Sequence, residues 1–113
     1  MIDVSTILIS ELNKTGLKVY DENFVDSKTE VPCITYRPYD NSSYKEGDTL
    51  GYSNHVFHVK VWAKTMQDIV KYSIAVDAIM RELGFTRITS NDLYAGGIRQ
   101  RDMKYKALAL ENF

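Results

Sequence analysis

Between Ser53 and Phe85 the polar and apolar positions change period once, and that change organises the chain. His55, Phe57, Val59, Val61 and Ala63 alternate with Asn54, Val56, His58, Lys60 and Trp62. A period of two places the first set on one face of an extended strand. The pattern breaks at Thr65-Met66-Gln67-Asp68. A hydroxyl three residues ahead of a carboxylate, just before an apolar run, can satisfy orphan N–H groups of a first helical turn. Met66, Ile69, Val70, Ser73, Val76, Met80 and Leu83 then recur at helical spacing. Gly84 can take the left-handed conformation that ends a helix, with Phe85 folding back on Met80.

The flanking segments read as further elements. Val4, Ile7, Leu8 and Leu12 form one apolar stripe, which predicts a helix from Ile2 to about Leu12 with a stop at Gly16. Leu17 to Tyr20 predicts a short strand and Val31 to Tyr39 a longer one. Pro32 and Pro38 near the ends of the latter lack a ladder donor, which argues for an edge position or for strand ends. Asp40 to Gly51 has no apolar period and much turn chemistry, so a flexible loop is expected at about 40–52. Phe85 to Ser90 predicts a strand, Asn91-Asp92 a turn, and Leu93 onward a last extended segment broken at Ala95-Gly96-Gly97. The expected order is α-β-β-β-α-β-β. The expected class is α+β: a mainly antiparallel sheet with two helices packed against it.

With 113 residues and 44% apolar content, residues 1–113 suit a single domain with one core. Fourteen basic residues balance 15 acidic ones, unlike the distinctly basic composition of a free-standing nucleic-acid binder. A single cysteine, Cys33, cannot form an internal disulfide, and no run of apolar residues approaches a membrane span. With no leader-like start, folding in a cytoplasm is expected.

The candidate chemistry is sparse. His55 and His58, three apart on a strand, point to opposite faces and cannot clamp one metal. Cys33 has no signature of a nucleophile around it, and burial in a strand is the better reading. The carboxylates of Asp40 to Asp48 lack the spacing of a calcium loop. Gly96-Gly97 is followed by no Gly-Lys-Ser/Thr, so it is not a phosphate loop. No metal, cofactor or catalytic residue is therefore expected. Arg99, Arg101, Lys104 and Lys106 form a basic run, split by strand geometry into two pairs on opposite faces, which suits a solvated or inter-subunit edge. Trp62 lies on the face opposite Phe57, Val59 and Val61, so a loop of its own chain or a second subunit has to bury it. Tyrosine is the unusual component, with eight residues. Tyr36, Tyr39, Tyr44 and Tyr52 fall in or beside the polar segment. They offer large amphipathic area with few torsions to freeze. Tyr39, Tyr44, Tyr52, Trp62, Arg99 and Arg101 are thus the candidate interface residues.

The run His55-Val-Phe-His-Val-Lys-Val-Trp-Ala-Lys64, the capped helix ending Met80-Arg-Glu-Leu-Gly-Phe85, and Asn91-Asp-Leu-Tyr94 with its closing strand resemble the tail-completion proteins of long-tailed bacteriophages and prophages. An amino-terminal helix followed by Val31-Pro-Cys-Ile-Thr-Tyr36 fits the same group of tail-terminator, head-to-tail joining proteins. The resemblance covers most of the chain, through fold patterns rather than catalytic signatures. It implies a non-enzymatic α+β protein of the virion tail, present in the host cytoplasm before assembly. It implies a ring, usually hexameric, at the head-proximal end of the tail tube. The implied partners are copies of itself, the tail-tube protein and the head connector or head-closure protein. Nucleic acid would meet it only in passing through the ring lumen, and no membrane is involved. The alternatives are a small nucleic-acid-binding or nuclease-like domain using the basic run, or a head-closure adaptor of the same fold.

Deleting Ser42 to Thr49 should leave a cooperative thermal transition intact while impairing assembly, because the segment holds few core positions. A melt followed by circular dichroism checks the first half of that expectation.

Overall fold

The computed structural model describes residues 4–22, 29–38 and 52–110. Helix α1 spans Val4–Leu12 and tightens into a 3-10 turn at Asn13–Thr15. Strands β1 (Val19–Asp21), β2 (Cys33–Pro38) and β3 (Tyr52–Ala63) follow. Helix α2 covers Met66–Glu82, and β4 (Thr86–Ala95) and β5 (Ile98–Leu110) close the chain. The expected α-β-β-β-α-β-β order holds. The segment expected as a flexible loop lies, up to Gly51, outside the described residues, as do Tyr39 and Tyr44.

The ends of α2 follow from local chemistry. Thr65 is extended, and its Oγ1 accepts from the Asp68 N–H at 3.2 Å, which caps the first turn. At the far end Gly84 sits at φ 93°, a conformation that disfavours any side chain. The Phe85 N–H then bonds to the Met80 carbonyl at 2.9 Å, and the Gly84 N–H to the Arg81 carbonyl at 3.0 Å. This is the two-bond termination that satisfies the last carbonyls of a helix. Phe85 and Met80 are both buried in the core, so the fold-back expected of Phe85 is present.

The five strands form one sheet in the order β1-β2-β3-β5-β4. Only β1 and β2 run parallel; the other neighbours are antiparallel. β3, α2 and β4 make a strand-helix-strand crossover with β5 inserted between the two strands. The inserted strand gives α2 a surface to cover. Phe57, Val59, Val61 and Ala63 of β3 and Met103 and Tyr105 of β5 meet Ile69, Val76 and Met80 of α2 there, and Leu8 and Leu12 of α1 complete the cluster. The rings of Phe57 and Phe85 meet edge to face, 5.9 Å apart.

β2 lies inside the sheet, between β1 and β3, and of the two places expected for its prolines they take the strand ends: Pro38 is its last residue and Pro32 precedes it. One expectation changes. Asn91-Asp92 is not a turn: β4 runs straight through it, and the reversal comes at Gly96-Gly97. There Ala95 pairs with Ile98 around a two-residue turn with φ of 60° and 80°. Both values are positive, as the turns that match strand twist require.

Two buried titratable groups sit in the sheet. Tyr105 is fully buried and donates its hydroxyl to Asp77 Oδ1 at 2.9 Å. Asp77 also pairs with Arg81 at 3.0 Å and Arg87 at 3.6 Å, joining α2 to β4 across the core rim. Burial, then the bond to Asp77, pushes the Tyr105 phenol up from its ordinary 10.0. Burial alone pushes the Cys33 thiol from 9.0 up to about 11.

Val59→Asp should abolish the cooperative urea transition. An unpaired charge in this core costs about 4 kcal/mol or more, against a typical domain stability of about 5–15 kcal/mol. Alkaline pH should also destabilise the fold. Cys33 and Tyr105 hold their protons more tightly when folded, so the unfolded chain releases them first. Their contribution is complete below pH 9.0, the ordinary value of the thiol, and fades as the pH climbs through the raised values. Urea midpoints measured against pH should fall above that point, and Tyr105→Phe should flatten the part of the fall above 10.0.

Candidate interaction surface

The strand alternation gives the sheet a helix-covered face and an opposite face. On the opposite face Cys33 lies across from Trp62, Thr35 from Lys60, and Arg37 from His58. Trp62 is half-buried, and its Nε1 donates to Thr35 Oγ1 at 2.9 Å, while the Lys60 ammonium sits 5.8 Å from the ring centroid. The chain itself therefore holds Trp62 in place. Around it Glu22 pairs with Lys60 at 3.2 Å and Arg37 at 3.4 Å, and His58 Nδ1 lies 3.0 Å from Asp102 Oδ1. The Glu22 contacts are ion pairs rather than aligned hydrogen bonds, since Glu22 Oε1 and Arg37 Nε lack a hydrogen-bond partner. The result is a mostly self-paired polar face.

Arg99 and Arg101 share the helix-side face at the β4–β5 end, beyond the start of α2. Lys104 and Lys106, one and three residues past Met103, fall on the other face. The basic run is thus split as expected and forms no single surface. Arg101 is committed: its Nε and Nη2 grip Asp92 Oδ1 and Oδ2 at 2.8 and 3.0 Å. That two-point bond holds the Asp92 carboxyl below its ordinary value and the guanidinium above its own. Arg99 lies over the Tyr94 ring at 4.8 Å, and no carboxylate among the described residues pairs with it. Tyr52 begins β3, opposite Leu110, at the other end of the sheet.

Other exposed residues were not singled out by the sequence. Met66 and Val70, counted into the apolar stripe of α2, are 43% and 40% exposed, and Ile74 is 66% exposed. They recur every fourth residue along the flank of α2 that carries Asp77, the side facing β4. All ten residues of β4 are exposed, among them Ile88, Leu93 and Tyr94. β4 is an edge strand with a register shift between Arg87 and Thr89. The signal was present in the spacing: Ile74 falls off the centre of the core stripe, and among the described residues nothing covers it.

Where the α2 flank meets the hairpin there is a cavity of about 120 Å³. Met66, Ile69, Leu93 and Tyr94 line it, with Asp92 and Arg99 at its polar part. Small-molecule sites are larger, roughly 300–1,000 Å³. Among the described residues no group of three or more His, Cys, Asp or Glu side chains could hold a metal ion, and no helix is long and apolar enough to cross a membrane. This end of the molecule thus combines an exposed apolar strip, an edge strand and a side-chain-sized hollow, with the Arg99 guanidinium beside it.

No family model matches the sequence, and no curated protein matches it. Among solved structures, a chain from the virion of a native gene transfer agent particle superposes with a TM-score of 0.62, over 89% of this chain and 90% of that chain, at 15% identity. At that identity the likeness shows a common fold, carried by almost the full length of both chains.

Proposed function

We propose that this chain is a structural protein of a phage-type virion, closing the head-proximal end of a tail tube and joining it to the head as a ring subunit. One observation carries the reading: the end-to-end fold match to a chain of a gene transfer agent virion. The tail-completion resemblance of the sequence points the same way. The surface suits the work. A ring needs two different faces on each subunit that meet when rotated, and no reaction centre. The exposed strip along α2 and β4 supplies one unpartnered face, made of Met66, Val70, Ile74 and Tyr94. Trp62, Arg101 and the tyrosines at 39, 44 and 52 remain interface candidates. The basic run gives a nucleic-acid reading little support, because its two halves lie on opposite faces and Arg101 is already paired.

Particles made without this protein should show full heads and free, unjoined tails in electron micrographs, with tails of uncontrolled length. Normal joined particles would defeat the reading. Tails of normal length, finished but unjoined, would move the role to head closure.

A further inference from the structure

We draw no further inference here: the strongest candidate, the exposed apolar strip of Met66, Val70 and Ile74 on α2 beside the edge strand β4 and the hollow next to Arg99, carries nothing further, because nothing in the structure shows what covers it.

Discussion

The pairing of β3 with β5 is the constraint on which the rest depends. It runs unbroken from Tyr52–Leu110 to Ala63–Arg99, and every other element is placed relative to it. Because the pairing is antiparallel and regular, side chains of the two strands fall on the same face in step. Phe57 meets Tyr105, and Val59 meets Met103. That shared apolar face is what α2 covers and α1 completes. A slip of one residue would turn the apolar set to the opposite face, where Lys60 and His58 now stand. The register is thus enforced by burial on one side and by ion pairs on the other.

Much of this was legible locally. β3 announced itself through strict alternation, and α2 through Thr65 and Asp68 at one end and Gly84-Phe85 at the other, because each signal lies within a few residues of the bond it makes. What was not legible depends on partners distant in sequence. Asn91-Asp92 has turn chemistry, yet Asp92 is gripped by Arg101 across the hairpin, and that contact outweighs local preference. Pro32 and Pro38 left open whether β2 was an edge strand or had them at its ends, and only its neighbours β1 and β3 decide for the second. The anchor of Trp62 is a hydroxyl 27 residues away, which no spacing reveals.

The interaction surface was legible in part. The split of Arg99 and Arg101 from Lys104 and Lys106 follows from strand parity alone. The exposed flank of α2 does not, because Met66 and Val70 share a helical stripe with buried residues and only the width of the sheet decides which of them is covered. α2 covers β3 and β5 and meets β4 only along its rim. Helical spacing records apolarity without recording what lies opposite, so a stripe wider than its floor reads as core. The same shortfall leaves β4 with one side uncovered and creates the hollow beside Arg99.

The irregularity at Ile88 matters beyond its own strand. A long, straight rim of unpaired backbone would template sheet growth from one molecule to the next without end. Breaking the spacing between Arg87 and Thr89 bends and twists that rim, so an incoming straight strand meets only short stretches in phase. Growth of the sheet from one molecule to the next, rim against rim, therefore stalls at that point.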